Sequence, residues 1–191
     1  MNVIAFNASA RKGGNTKLLL EAVFKPLQEA GAHTELIELA GTNPKGCRAC
    51  GVCIKKKDGT CVIKDDIINE CIDKMTKSDA IILGSPTYFA DVTTEMKALI
   101  DRCGMVGRAN DNLYKRKIGA AVAVARRAGE IHAFDTMNHF FQIGHMIVVG
   151  SSYWNIGIGR DKGEVAKDEE GIKTMTDLGE NIAWLLKKIK D

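Results

Sequence analysis

Three cysteines form a C-x-x-C-x-x-C pattern at Cys47, Cys50 and Cys53, and a fourth, Cys61, follows after seven further residues. Four thiolates this close in sequence can surround one compact metal centre, because two-residue gaps let the backbone curl and direct its N–H groups toward the sulfurs. The N-terminus shows no basic region followed by a long apolar run, so we expect no signal peptide and a cytoplasmic location. In that compartment, closely spaced cysteines indicate metal or redox chemistry rather than a disulfide framework.

The cysteine pattern favours one iron–sulfur cluster with four local ligands, and three other interpretations stay open. In two-cluster ferredoxins a proline follows the fourth cysteine, whereas Val62 follows Cys61 here and the sequence holds no second set. Zinc could take the same thiolates, although zinc sites usually combine two separated C-x-x-C knuckles. The thiols could also carry no metal, or a pair could form a redox-active disulfide. A zinc-stabilised or thiol-switch module without enzymatic activity therefore remains one possible function.

A second group of polar residues follows the first predicted strand, in the loop between Asn7 and Thr16. This loop holds two adjacent glycines, Gly13 and Gly14, and ends where a helix is predicted to begin. A helix N-terminus presents free N–H groups and a positive dipole end to an anion. The loop has neither the G-x-G-x-x-G of a dinucleotide site nor the Gly-Lys-Ser/Thr of a P-loop. An ordinary strand-to-helix turn is the alternative. The residues that could contact a phosphate here are Ser9, Arg11, Asn15 and Thr16.

Two further loops favour a site for a planar ring next to the phosphate. Pro86, Thr87, Tyr88 and Phe89 follow the third predicted strand and combine backbone donors with aromatic surface. Core packing is the alternative for the two aromatic side chains. Arg126–Arg127 follows the fourth predicted strand, and a cation beside a flavin favours its anionic reduced ring and raises its reduction potential.

The elements that must position these loops alternate between strand and helix, which is typical of a doubly wound α/β fold. Spacing and right-handed crossovers predict a flavodoxin-like parallel sheet of five strands in the order 2-1-3-4-5, with helices on both faces. Ligands of such sheets bind beyond the carboxyl ends of the strands, where the loops above would meet. Residues 150–167 are glycine-rich, and we expect them to be irregular. The predicted strands are 2–7, 34–39, 80–84, 117–125 and 146–149, and the predicted helices are 16–30, 65–77, one ending near 103, 129–142 and 169–190.

Length and composition predict one domain, residues 1–191, with a cysteine-rich insert at about 44–64. The chain has 191 residues, of which 45% are hydrophobic, enough to bury a sizeable core. Its net charge of +3 and lack of a long basic run predict no nucleic-acid partner. No stretch approaches the ~18 apolar residues of a membrane span, so we expect no membrane association.

These loops together resemble those of the NADPH-dependent FMN reductase superfamily over nearly the whole chain. The resemblance is carried by Ser-x-Arg-x-Gly-x-Asn-Thr at 9–16, Ser-Pro-Thr-Tyr-Phe at 85–89 and Met-Lys-Ala-Leu-Ile-Asp-Arg at 96–102. Ala10 stands where proline is common in that family. The resemblance implies that Ser9, Arg11, Asn15 and Thr16 hold the phosphate of FMN and that residues 86–89 line its ring.

The cysteine segment resembles that of the iron–sulfur flavoprotein family, a branch of the same superfamily. This resemblance implies a 4Fe–4S cluster on the four cysteines, and a homodimer or homotetramer in which the cluster of one subunit approaches the FMN of another. Electrons would pass from a ferredoxin-like donor through the cluster to FMN and on to an acceptor such as O2 or H2O2. The basic segment Lys55–Lys57 could dock an acidic ferredoxin.

The alternative enzyme is an NAD(P)H-dependent FMN or quinone reductase without a working cluster, in which a hydride passes to FMN and onward to a small acceptor. Both functions describe a flavin-dependent oxidoreductase. The sequence shows no Ser-His-Asp set or paired carboxylates, and we predict no catalytic side chain because the cofactors supply the redox chemistry.

Overall fold

The computed structural model describes the backbone of residues 1–190 and builds one parallel sheet between helices. The strands are β1 (Asn2–Asn7), β2 (His33–Glu38), β3 (Ala80–Pro86), β4 (Ile118–Ala125), β5 (Ile147–Val148) and β6 (Ile156–Ile158). The helices are α1 (Asn15–Glu29), α2 (Val52–Lys56), α3 (Ile68–Lys77), α4 (Thr94–Ala109), α5 (Glu130–Ile143) and α6 (Glu169–Lys190), with a 3₁₀ turn at Glu164–Lys167.

The strand order β2-β1-β3-β4-β5 confirms the predicted flavodoxin-like topology. The expectation that residues 150–167 are irregular was wrong, because β6 pairs in parallel with Ala123–Ala125 at the end of β4 and a 3₁₀ turn follows it. A three-residue strand is too short to show alternation in sequence. Its central Gly157 is required by packing, since a Cβ there would lie 2.6 Å from a methyl group of Leu19.

The core lies on both faces of the sheet. Val3 and Ala5 of β1 pack with apolar residues of α1 and α6, whereas Ile4 and Phe6 pack with those of α3, α4 and α5. This alternation buries β1 on both sides, as expected for a parallel strand. The tight fit of α6 against α1 explains Gly179, where a Cβ would lie 2.3 Å from the carbonyl oxygen of Val23.

Helix α4 is longer than predicted, reaching Ala109 rather than ending near Cys103. Gly104 and Gly107 lie inside it. Gly107 faces the ring of Tyr114, and a Cβ there would lie 2.5 Å from the ring, so this glycine serves packing and does not end the helix.

The cysteine-rich segment leaves the sheet after β2 and returns at α3. Apart from the short helix α2, which the sequence did not predict, it is built of turns and extended chain. Within residues 1–190, every helix is too short or too polar to cross a lipid bilayer.

Candidate functional site

A cavity of about 220 Å³ opens at the carboxyl ends of β1, β3 and β4. It brings together eight of the ten residues predicted to bind the cofactor. Val124, Ala125, Gly159 and Arg160 complete its wall. The eight predicted residues are Ser9, Arg11, Asn15, Thr16, Pro86, Thr87, Tyr88 and Arg126.

One end of this cavity is the N-terminus of α1. Gly14 caps the helix without any side-chain hydrogen bond, and no acidic residue lies in the first turn. A Cβ on Gly14 would lie 2.9 Å from the carbonyl oxygen of Arg11, so the tight turn into the helix favours glycine. Buried Thr16 donates no side-chain hydrogen bond within the described residues, and the hydroxyl oxygen of Ser9 accepts one from the N–H of Arg11 at 3.3 Å. Free N–H groups and hydroxyls at a helix N-terminus suit a phosphate.

Asn15 lines the cavity, but its side-chain amide is used to hold the neighbouring loop. Its Nδ2 donates to the carbonyl oxygens of Gly159 (3.1 Å) and Asp161 (2.9 Å), and its Oδ1 accepts from the N–H of Gly163 (2.8 Å). These bonds fasten residues 159–163 onto α1. Asn15 therefore positions the wall of the cavity, and its contact with a phosphate stays a prediction.

That wall, Gly159 and Arg160, was missed by the sequence analysis. Arg160 accepts a hydrogen bond from the Arg11 guanidinium through its carbonyl oxygen at 2.7 Å. A Cβ on Gly159 would lie 2.8 Å from both Nδ2 of Asn15 and the N–H of Val165. The available signal was the pair of glycines at 157 and 159, which mark a close approach of backbone to other atoms.

The opposite end of the cavity is the turn after β3. Buried Oγ1 of Thr87 has no hydrogen-bond partner among the described residues. A buried hydroxyl is almost always paired, and of the unpaired buried polar atoms in the described residues this one belongs to a residue of the cavity wall, where it is free to bond the polar edge of a ligand. The backbone of Tyr88 and Asp91 exchanges two hydrogen bonds and closes a turn in which Phe89 and Ala90 adopt positive φ values of 40° and 80°.

The backbone of this turn directs the Phe89 side chain outward. The side chain is fully exposed and does not line the cavity. Such left-handed backbone costs about 1–3 kcal/mol in non-glycine residues and often marks functional segments. Arg127 is also absent from the lining and lies instead in an adjoining cavity. The structure thus separates two of the ten predicted residues from the rest.

The adjoining cavity, about 610 Å³ in volume, carries a net positive charge, because four cationic and two acidic residues line it. The carboxylates of its two acidic residues accept hydrogen bonds from backbone N–H groups. Glu164 accepts from the N–H groups of Asp161 and Arg160, which lowers the pKa of its carboxyl. Asp168 accepts from those of Ile158 and Gly171. No ion pair in the described part of the chain involves the four cationic lining residues, which are Arg126, Arg127, Arg160 and Lys167.

A third cavity, of about 140 Å³, is lined by all four predicted metal ligands, Cys47, Cys50, Cys53 and Cys61. All four are free thiols. Over residues 1–190, no three His, Cys, Asp or Glu side chains are arranged to hold one metal ion. Four thiols lining one cavity are a donor set that an iron–sulfur cluster or zinc could use.

The backbone of the cysteine segment also fits a cluster. Ala49 and Gly51 adopt left-handed φ values of 51° and 68°, which curl the chain between the cysteines. As far as the structure describes the chain, the N–H groups of residues 46–51 donate no hydrogen bond. Unused N–H groups in such a curl are available to cluster sulfurs.

One buried ion pair holds this segment to the fold. The guanidinium of Arg102 on α4 pairs with the carboxylate of Asp66, and both side chains are 1% exposed. Burial alone would raise the pKa of Asp66, but hydrogen bonds from Arg102 and from the N–H groups of Lys45 and Ile68 hold it below its usual value. Asp66 therefore stays ionised opposite the guanidinium.

Cys71 and Cys103 lie in the core and do not line the cysteine cavity. Burial raises the pKa of the Cys71 thiol to about 12 and that of Cys103 well above its ordinary value. A buried thiol in an apolar site is inert, so these two residues serve the core and not the cysteine cavity.

The sequence matches the family described as NADPH-dependent FMN reductase over residues 1–161. It is 38% identical over 197 residues to an iron–sulfur flavoprotein of Methanocaldococcus jannaschii, with 100% of both chains covered. It is 30% identical over 192 residues to an iron–sulfur flavoprotein of Methanosarcina thermophila, with 100% of this chain and 97% of that protein covered.

The fold is similar to that of a WrbA-like flavodoxin from Agrobacterium tumefaciens. The two structures superpose with a TM-score of 0.69 over 98% of each chain, at 13% identity. At that identity the likeness concerns the fold alone.

Proposed function

Because this chain belongs to the iron–sulfur flavoprotein branch of the NADPH-dependent FMN reductase family, we propose that it is an FMN-dependent oxidoreductase with a 4Fe–4S cluster. Electrons would enter from a ferredoxin-like donor at the cluster and leave from FMN to a small acceptor such as O2 or H2O2. When bound, FMN supplies one- or two-electron exchange and the cluster supplies one-electron exchange. The observation that carries this proposal is that one chain holds both the cavity with the unpartnered Thr87 hydroxyl and the cavity lined by four free cysteines.

The residues of the first cavity would bind and orient FMN. Ser9, Thr16 and the first N–H groups of α1 would receive its phosphate, and Arg11 would add charge at the mouth. Thr87 would gain the hydrogen-bond partner it lacks, and Tyr88 would cover the ring. Arg126 on the cavity wall would favour a reduced, anionic flavin.

The residues around the cysteine cavity would hold the cluster and receive the donor. Lys55, Lys56 and Lys57 are exposed at the end of α2, next to Cys53. A basic surface beside the entry point would attract an acidic protein and speed its association at low ionic strength.

We also propose a homodimer or homotetramer as the working unit, since in this family a cluster and an FMN from different subunits come together. Exposed aromatic side chains support a contact with another protein. Phe89 is fully exposed, and Tyr153 and Trp154 are more than half exposed. Clustered apolar surface of this kind commonly marks interfaces.

A second candidate function, an NAD(P)H-dependent FMN or quinone reductase, is favoured by one observation. The adjoining, positively charged cavity shares Arg126, Gly159 and Arg160 with the flavin cavity. Phosphates bound in the adjoining cavity would therefore lie beside the flavin. Unpaired arginines are well suited to phosphate groups.

Anaerobic rapid mixing distinguishes the two functions. We expect reduced ferredoxin to bleach the flavin absorbance quickly and NADPH to do so slowly. Cys50→Ala should abolish the ferredoxin reaction while leaving FMN bound, with Cys71→Ala as the control that keeps all four ligands. Fast bleaching by NADPH that is unchanged in the Cys50→Ala protein would favour the second function instead.

A further inference from the structure

The cysteine segment is held to the fold mainly by side chains. Asn69 of α3 bonds the backbone of Cys61 and Ile63, and Asn110 accepts a hydrogen bond from the N–H of Gly59. Between Lys45 and Ile63 it contributes no strand to the sheet, and Cys47 and Cys50 are exposed. A long surface segment of this kind is held by side-chain bonds at its ends rather than by a hydrogen-bond ladder.

Arg102 provides these bonds at both ends of the segment. Its Nη1 donates to the carbonyl oxygen of Lys45 at 3.0 Å, and its Nη2 donates to that of Ile63 at 3.1 Å. Lys45 precedes the first cysteine of the segment, and Ile63 follows the last. One planar guanidinium thus bridges the entry and the exit of the four-cysteine segment.

The third arm of the same guanidinium reaches a cysteine. Nε of Arg102 lies 3.3 Å from Sγ of Cys61, the geometry of an N–H···S hydrogen bond. Hydrogen bonds and net charge near cluster sulfurs set the reduction potential of an iron–sulfur centre. The arginine is 1% exposed, so solvent screens its charge little.

Asp66 keeps this guanidinium in place. It pairs with Nη1 of Arg102, and it also accepts hydrogen bonds from the N–H groups of Lys45 (3.0 Å) and Ile68 (3.2 Å). A buried ion pair lowers the stability of a fold little only when its remaining donors and acceptors are hydrogen-bonded. Here all three nitrogens of the guanidinium have hydrogen-bond partners.

We propose that Arg102 is a positioning residue that closes the cysteine segment and, through its N–H bond to Sγ of Cys61, raises the reduction potential of the centre bound there. This inference rests on the proposed function, because it takes the four cysteines to hold a cluster. A lysine could not replace the arginine, since a single ammonium cannot span the four separate acceptors.

The test compares three variants with the wild-type protein. Arg102→Lys keeps the positive charge and loses the fork. The double variant Arg102→Met with Asp66→Asn removes the pair without leaving a buried charge, and it serves if Arg102→Lys does not fold. Arg108→Lys, at an exposed position on the same helix, is the matched control. FMN content reports folding, because Arg102 does not line the flavin cavity.

Both Arg102 variants should bind FMN normally and lose iron to a chelator about tenfold faster than wild type, the usual cost of removing an outer-shell partner. The cluster potential, measured by an EPR-monitored titration, should shift negative, and Arg108→Lys should match wild type in both measurements. Unchanged iron loss and an unchanged potential in both Arg102 variants would overturn the inference.

Amide hydrogen exchange on cluster-free protein separates this inference from the proposed function. Residues 45–63 should exchange faster in Arg102→Lys than in Arg108→Lys, whether or not a cluster forms. Equal exchange would show that the arginine does not close the segment. A wild-type protein that takes up no iron and sulfide on reconstitution would overturn the cluster assignment, and with it the effect on potential.

Discussion

The flavin cavity and the cysteine cavity are held in different ways. The flavin cavity lies at the edge of the sheet, where backbone bonds such as Thr87 N–H to Val124 O (2.7 Å) and Ala8 N–H to Gly84 O (2.9 Å) continue the ladder into the loops. The cysteine cavity is built largely from one surface segment, fastened by side chains, chiefly Arg102. The first site is therefore formed by the fold itself, and the second depends on side-chain bonds from Arg102, Asn69 and Asn110.

Because the two cavities are held in different ways, we expect FMN binding to be independent of metal binding by the cysteines. Changes in the cysteine segment should leave FMN binding intact, because no residue lines both cavities. Changes that overpack the sheet edge, such as Gly159→Ala, should lower FMN affinity together with fold stability.

Replacing Cys50 with alanine should remove essentially all of the iron, since a cubane with three local ligands is readily lost. FMN content per chain should stay within error of wild type. Cys71→Ala, which alters a core thiol instead, should keep both cofactors. Joint loss of FMN and iron in the Cys50→Ala protein would show that the sites are coupled.

The second prediction concerns thiol reactivity after the metal is removed by a chelator. At pH 8 a thiol with a pKa of about 12, as burial gives Cys71, is thiolate in about one molecule in 10,000. Iodoacetamide should therefore label exposed Cys47 and Cys50 within minutes and leave Cys71 and Cys103 unlabelled until denaturant is added. Peptide mass spectrometry reads the order of labelling, and early modification of Cys71 would contradict the buried core described above.

Gly159→Ala should weaken FMN binding and destabilise the fold by about 1–3 kcal/mol, the usual cost of overpacking. The added Cβ would push against Asn15 and Val165 and displace the cavity wall. Gly150→Ala is the matched control, because a Cβ there meets no atom within 4 Å. Thermal unfolding without FMN and fluorescence titration with FMN measure the two effects, and wild-type values in both would contradict this role of the wall.

Thr87→Val should have the smallest effect. We expect FMN affinity to fall while the stability of the FMN-free protein does not. Removing an unsatisfied buried hydroxyl should leave the FMN-free protein as stable as wild type or slightly more stable. FMN affinity should fall by about tenfold, the value of one hydrogen bond. In the control Thr176→Val, the lost hydroxyl bonds to Ile172 O (3.1 Å) on a helix away from the cavity, so FMN affinity should be unchanged. Unaltered affinity in Thr87→Val would remove this residue from the site.

The sequence was sufficient to predict the sheet and the three loops that meet at its edge, because strand periodicity and parallel topology place those loops together. It missed the contribution of β6 and Gly159, whose placement arises from packing against Leu19, Asn15 and Val165. It also missed the role of Arg102, which stands 41 residues from Cys61 and interacts with it only in the folded chain. The outward turn of Phe89 depends on left-handed backbone that propensity does not predict.

The grouping of the four cysteines around one cavity was predictable from local spacing, whereas the hydrogen bonds of Asn15 and the position of Arg127 were not. The side-chain amide of Asn15 is engaged by a segment almost 150 residues away. The turn at the end of β4 separates Arg127 from Arg126 and directs it to the adjoining cavity. Long-range contacts of this kind leave no local pattern.

Anaerobic purification followed by counting FMN, iron and acid-labile sulfide per chain tests the central claim most directly. We predict about one FMN and about four iron and four sulfide atoms in each chain. A yellow protein that lacks iron and sulfide even after reconstitution would contradict the claim that the four cysteines hold a cluster. A colourless protein that does not bind added FMN would contradict the assignment of the flavin cavity.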